Sequence, residues 1–149
     1  MNATIAQKIL AGISYATIAT TNTQGDPWNT PVFYASDGLT IYWSSHPDSV
    51  HSKNIAANGK AFIVIYNSKA GEGEGVGLYG KAIAQVVADA PETRQALGLL
   101  GKRRGKLFKI EKYMQGPQRI YKAELTELWI NDAEQDTDGD FIKDFRIKL

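Results

Sequence analysis

Alternation with a period of two governs the middle of this chain. In Leu39–Ser44, Leu39, Ile41 and Trp43 fall on one side of an extended segment, and Thr40, Tyr42 and Ser44 on the other, which predicts a strand. The pattern stops at Pro47. Asp48 or Ser49 can then cap a short helix over Val50–Ala57, which Asn58 and Gly59 can end. Ala61–Tyr66 is β-branched and aromatic and predicts the next strand.

The remaining segments fill in around this unit. Ile5, Ile9 and Ile13 recur at spacing four with Leu10 beside them, predicting a helix over Thr4–Ile13 that Asn2 can cap and that lids a sheet edge or barrel mouth. Tyr15–Asn22 and Trp28–Ala35 predict two strands separated by a Gly- and Pro-bearing turn; Pro31 demands an edge, a bulge or a ligand at that point. Ser36-Asp37-Gly38 predicts a tight hairpin that makes Trp28–Ala35 the antiparallel neighbour of the Leu39 strand. Val76–Val87 predicts a long strand with Gly77 and Gly80 as points of curvature or close backbone approach. Asp89-Ala90-Pro91-Glu92 opens a helix expected to reach Leu100 and to break over Gly101–Gly105, followed by a helical piece in Lys106–Met114. Ile120–Asn131 alternates with an irregularity before Leu128, and Phe141–Leu149 is an edge strand or a tail crossing to a partner.

Six antiparallel strands with helices at only three places leave too few crossovers for a doubly wound sheet. The fold class expected is mainly β, a six-stranded antiparallel barrel or strongly curled sheet with peripheral helices, which removes open sheet edges. A length of 149 residues fits one domain, 1–149. Composition excludes several classes of function. The chain has no cysteine, which removes disulfides, thiolate metal sites and cysteine nucleophiles and fits the cytoplasm. No stretch is long and apolar enough for a membrane span or a secretory signal. A net charge of +1 gives no global attraction to nucleic acid, so any attraction to an anion is local.

One place offers such an attraction. The strand–turn–helix unit gathers Ser44, Ser45, Ser49, His51, Ser52 and Lys53 about one helix N-terminus, where free backbone N–H groups favour a phosphate. The competing reading is a solvated cap. His46 and His51 are five apart and do not form a helical metal pair, so no metal site is expected. Glu134–Asp140 slightly resembles a calcium loop, but its twelfth position is Phe145, where a bidentate glutamate is required; a solvated acidic turn is the better reading. Gly101–Lys106 carries a basic run that could touch nucleic acid, yet it lacks interleaved stacking aromatics.

At Trp43–Asn58 the chain resembles the pyridoxamine 5'-phosphate oxidase-like, flavin-binding split-barrel family. The likeness runs through YATIATTNTQGDPWNTPVFYASDGLTIYWSS, SVHSKNIAANGKAFIVIY, VGLYGKAIAQVV and a late strand ending ELWIN. It implies a split-barrel homodimer with flavin mononucleotide (FMN) in clefts between subunits. It implies that Ser49 and His51 hold the phosphate, with Trp43, Ser44 and Ser45 near the ribityl-phosphate and Asn29, Thr30, Pro31 and Val32 along the isoalloxazine ring. The partner subunit would add contacts from Val76–Gly80 or from Lys102-Arg103-Arg104. Two departures stand out. Val50 occupies a position where the family has a basic residue, so Lys53 or the partner would supply that charge. Trp129 is followed by Ile-Asn-Asp, with no arginine until Arg146, which argues against vitamin B6 oxidation. The function implied is a flavin-dependent oxidoreductase or flavin reductase-like enzyme with a small-molecule electron donor or acceptor and no assigned catalytic side chain. Alternatives are a non-catalytic flavin, deazaflavin or haem carrier on the same fold, and a small barrel binding nucleic acid through its basic loop.

Overall fold

A computed structural model describes residues 2–149, with side chains from Thr4 onward; the cap expected from Asn2 lies outside the described side chains. Helix α1 (Asn2–Gly12) leads into β1 (Tyr15–Thr21), β2 (Pro27–Phe33), β3 (Ala35–Asp37) and β4 (Thr40–Ser45). Helix α2 (Val50–Asn58) follows, then β5 (Lys60–Ile65), β6 (Leu78–Val86), α3 (Ala90–Arg104), the short α4 (Glu111–Met114), β7 (Arg119–Gln135) and β8 (Phe141–Lys148). All strand pairings are antiparallel, in the order β2-β1-β5-β6-β7-β4-β3, with β8 on the outer half of β7.

The strongly curled sheet wraps a core of Ile18, Tyr34, Ile41, Trp43, Ile63, Ile65 and Leu78, all essentially inaccessible to solvent. Helix α1 lids one end. Its buried ridge is Ala6 and Leu10, flanked by Ile9 and Ile13, so the expected isoleucine stripe lies beside the contact and not at its centre. A second core, of Tyr42, Leu97, Leu100, Tyr113 and Ile120, lies where α3 and α4 cover the other face of β4 and β7. Strand β4 is therefore buried on both faces, which explains why Tyr42 is as inaccessible as its neighbours Ile41 and Trp43. Arg103 ties α3 to the rest: its guanidinium donates to the carbonyls of Tyr34, Leu10 and Ala11 at 2.7–2.9 Å.

Three departures from the expected fold have physical causes. The expected single strand Trp28–Ala35 bends at Tyr34, so β2 pairs β1 while only β3 pairs β4; the hairpin at Gly38 (φ +56°) belongs to β3–β4. Together with the C-terminal β8, this raises the strand count from six to eight within the same fold. Pro31 lies on an edge strand, as its missing N–H requires. The expected irregularity in β7 is a bulge at Thr126, opposite Lys81/Ala82. Close to it, Gly80 lets Leu125 and Leu128 pack against the β6 backbone.

Helix α3 does not break at Gly101 but runs to Arg104, ended by Gly105 in the left-handed conformation. Gly101 is needed for another reason: a Cβ there would collide with the backbone carbonyl oxygen of Lys106, which folds back over the helix. That return keeps Lys106–Ile110 out of a helix, so the expected Lys106–Met114 piece shrinks to α4. Gly98, three residues earlier, would meet nothing within 4 Å. Gly101→Ala should therefore cost about 1–3 kcal/mol by overpacking, whereas Gly98→Ala should add about 0.4–1 kcal/mol by restricting the unfolded chain. Urea midpoints at unchanged m-value measure both.

Candidate functional site

Two asparagines dock α2 on β1: Asn54 donates to Thr20 Oγ1 at 3.0 Å and Asn58 to the Thr21 carbonyl at 2.8 Å. Gly59 (φ +68°) closes its C-terminus. With the helix held at that end, its N-terminus faces the last residues of β4. Ser49 is the N-cap residue by position, but its side chain makes no capping bond. Its hydroxyl donates instead to the His46 carbonyl at 2.8 Å and lies 2.7 Å from Ser52 Oγ. Among the described residues no side chain caps the first-turn N–H groups of α2, which is the arrangement that suits an anion.

His51 projects from that first turn and is buried. Its Nε2 shares a 2.7 Å hydrogen bond with Ser45 Oγ, and Ser49 Oγ approaches the same nitrogen at 3.4 Å. Ser45 and Ser49 are 3.2 Å apart. Burial pushes the imidazole below its ordinary pKa, so it is neutral at pH 7. The cluster borders a pocket of about 290 Å³ walled by Pro31 and Val32 of β2, Ser44 and Ser45 of β4, His51, and the Leu97, Leu100 and Arg104 side of α3, with Phe108 and Tyr113 beyond. The pocket thus combines hydroxyls and an imidazole from β4 and α2 with leucines and a guanidinium from α3.

Five of the expected residues meet in this pocket: Pro31, Val32, Ser44, Ser45 and His51. Ser49 stands behind His51 through its hydrogen bonds. Asn29 and Thr30 lie further along β2, paired with Ala19 and Ile18 and outside the pocket lining. Lys53 is exposed one turn along α2 and lines no part of it. Trp43 is a correction. It is fully inaccessible inside the barrel, stacked on Tyr121 at 5.9 Å, because the inward face of β4 is core there.

Tyr15, Leu97, Leu100, Phe108 and Tyr113 were not foreseen, since nothing local marks an α3 leucine as a pocket wall. Arg104 was expected from a partner subunit; here it borders its own chain's pocket, while Arg103 is committed to the α1 and Tyr34 carbonyls.

Elsewhere, Glu92 does not reach back to its own helix start as a capping box would. Its carboxylate accepts from Tyr42 Oη at 3.0 Å and from Lys122 Nζ at 2.9 Å, joining α3 to β4 and β7. Burial first, and Glu92 second, push the Tyr42 phenol up to about 12, so it stays a donor. In the acidic turn, Asp136 Oδ1 accepts from the N–H groups of Asp138 and Asp140, both at 2.9 Å, an Asx-type turn. Among the described residues no helix is long and apolar enough to cross a membrane.

The pyridoxamine 5'-phosphate oxidase family model matches residues 5–132. No curated protein matches the chain significantly. Several solved structures share the fold. A haem binding protein from Mycobacterium smegmatis superposes with a TM-score of 0.74 at 17% identity, covering 99% of this chain and 58% of that one. A FAD-binding protein from Mesorhizobium loti gives 0.66 at 16% identity, covering 86% and 92%. An F420 reductase gives 0.63 at 18% identity, covering 82% and 94%. Proteins of this architecture thus include a FAD binder, an F420 reductase and a haem binder, and identities this low carry the fold alone. With a model match over most of its length and a split-barrel sheet with peripheral helices, this chain belongs to the pyridoxamine 5'-phosphate oxidase family.

Proposed function

We propose that this protein binds FMN as a homodimer and serves as a flavin-dependent oxidoreductase for a small-molecule donor or acceptor. One observation carries the reading: the uncapped N-terminus of α2 is ringed by Ser45, Ser49 and His51 and opens on a pocket that Arg104 borders. Amide donors and hydroxyls at a helix start, with a cation bordering the same pocket, suit a phosphate monoester. At about 290 Å³ the pocket lies at the small end of the roughly 300–1,000 Å³ of ligand sites. It suits the phosphate and ribityl portion, with the ring extending along Pro31 toward a second subunit.

A second subunit has a surface to use: the outer sheet face carries exposed Phe62 and Ile83, with Trp129 stacked on Phe62. A chain without cysteine is also suited to the reducing cytoplasm.

When bound, flavin supplies the hydride or electron transfer. The chain's part is to hold the phosphate at α2, to wall the ribityl with β2 and α3, and to limit water. The direct test is to denature the native protein and identify what is released. FMN is the expected chromophore; haem in its place, or failure of the purified protein to take up added FMN, overturns the reading. Reduction by NADH or NADPH and reoxidation by an acceptor panel then separates an enzyme from a carrier.

His51 adds a pH signature. In the ligand-free protein its neutral form is favoured, so its contribution to stability is present above about pH 6.5 and is lost as pH falls through the lowered folded value. A phosphate beside it reverses the preference and raises that value. FMN affinity should therefore increase as pH drops from about 8 toward 6.5, until the phosphate takes up its own proton near pH ~6. Fluorescence-quenching titrations should show this rise in the natural protein and a flat profile in His51→Gln.

A further inference from the structure

The chain's charge is segregated along its length. Residues 94–112 hold seven basic residues and one acid, whereas residues 132–140 hold five acids and no base, in a chain whose net charge is +1. The basic segment folds into a groove of about 580 Å³ between α3 and the returning loop. Arg94, Lys102 and Lys106 line it over an apolar floor of Leu97, Phe108 and Ile110. None of these three cations is in an ion pair among the described residues. Leu107 is 96% exposed at the rim of the groove.

The acidic segment makes no ion pair outside its own hairpin among the described residues. Asn131 is still held to the segment before β6, its side-chain amide donating to the Gly75 carbonyl and accepting from the Gly77 N–H, but beyond it β7 pairs only β8, so Asp132–Lys143 forms a two-stranded arm whose tip is the Asp136–Asp140 turn. Its ion pairs are internal to the hairpin, as in Lys143–Glu134 and Arg146–Asp144. Asp136, Asp138 and Asp140 pair with no cation among the described residues, and Phe141 beside them is exposed. The arm and the groove lie at opposite ends of β7. That strand has 17 residues, about 50 Å at roughly 3.3 Å per residue, and α4 and the end of β6 sit at its Arg119 end. Within one chain no ion pair joins the arm to the groove among the described residues.

We infer that the acidic arm tip of one copy docks in the α3–α4 groove of a second copy, reciprocally. A two-fold axis lying between two sheet faces and across the strands reverses β7, which brings each tip toward the partner's basic end. Opposite charges then meet over the apolar floor, with Phe141 available to the exposed Leu107. The inference rests on the homodimer proposed above and goes beyond it by naming which segments meet. It also places the partner's arm against α3, the helix whose inner side walls the phosphate pocket.

The absence of native cysteine allows a clean test on the full chain. Protein carrying Asp138→Cys is mixed with protein carrying Lys106→Cys and oxidised mildly, so that any mixed disulfide is between chains by construction. The expected result is a mixed disulfide several-fold in excess of either like-with-like product, reduced by 0.5 M salt. In parallel, Lys102→Glu with Lys106→Glu, or Asp138→Lys with Asp140→Lys, should each weaken dimerisation at least tenfold by sedimentation equilibrium, and a chain carrying all four should regain it. A natural dimer with no excess mixed product and no rescue overturns the arm contact while leaving the homodimer intact. A natural protein that is monomeric at every concentration overturns both. Salt-sensitive binding of short RNA or DNA to the groove, without mixed product, assigns it to nucleic acid and overturns the inference.

Discussion

Replacing Trp43 with alanine is expected to lower the unfolding free energy by about 3–5 kcal/mol, the largest loss of any single change discussed for this protein. Trp43 is fully inaccessible and stacks on Tyr121, inside a core that also holds Ile41 and Ile63. Truncation leaves a cavity the size of an indole in the middle of the curled sheet. The barrel cannot collapse into it, because β4 is pinned on one face by the sheet and on the other by the Tyr42–Glu92–Lys122 contact. Trp43 Nε1 has no hydrogen-bond partner among the described residues, so the loss is one of packing rather than of a polar contact. Trp43→Phe keeps most of the apolar volume and should cost about 1–3 kcal/mol. It should also leave FMN retention unchanged, because the indole lines no pocket. Urea unfolding together with flavin fluorescence decides the point: a Trp43→Phe protein of near-natural stability that no longer holds flavin would show that this side chain touches the cofactor.

Ser49→Ala combined with His51→Ala should weaken FMN binding by about 100- to 1,000-fold. Hydrogen bonds to a charged group are worth about 1.5–3 kcal/mol each, and a factor of ten corresponds to about 1.4 kcal/mol. The two effects will not simply add, since Ser49 and His51 share one network with Ser45. Riboflavin, which has the same ring and ribityl chain without the phosphate, is the control. Its affinity should change less than threefold, because the altered groups serve the phosphate. A comparable loss for both ligands would place Ser49 and His51 elsewhere along the flavin or implicate a disordered α2. Circular dichroism and the urea midpoint of the double variant distinguish those two outcomes. Arg104→Met extends the test to α3: weakened FMN binding with unchanged riboflavin binding would assign the guanidinium to the same anion.

Local rules carried much of the fold. The helix over Val50–Asn58, its Ser49 and Gly59 boundaries, the Asp89 cap and the bulge before Leu128 all follow from residues adjacent in the chain. Each depends on a backbone N–H or carbonyl needing a nearby partner, or on side chains alternating across a strand. The clustering of Ser45, Ser49 and His51 was legible for the same reason, since strand end, turn and helix start are consecutive. The family likeness extended that reading to Pro31 and Val32.

Only the tertiary structure decided the rest. Trp43 and Ser44 are neighbours, yet one is core and the other borders a pocket, because an adjacent pair on a strand faces opposite sides and the depth of each side depends on distant elements. The division of labour between Arg103 and Arg104 depends on where α3 lies against α1 and β2, which no local pattern encodes. The bend at Tyr34 likewise arises because β2 and β3 pair with different partners. What the amino-acid order settled by itself was the set of elements and one anion-seeking helix start. Which faces were buried, which arginine was free and where the two charged poles came to lie were set by packing between segments far apart in the chain, since burial is a property of the assembled sheet and not of any single strand.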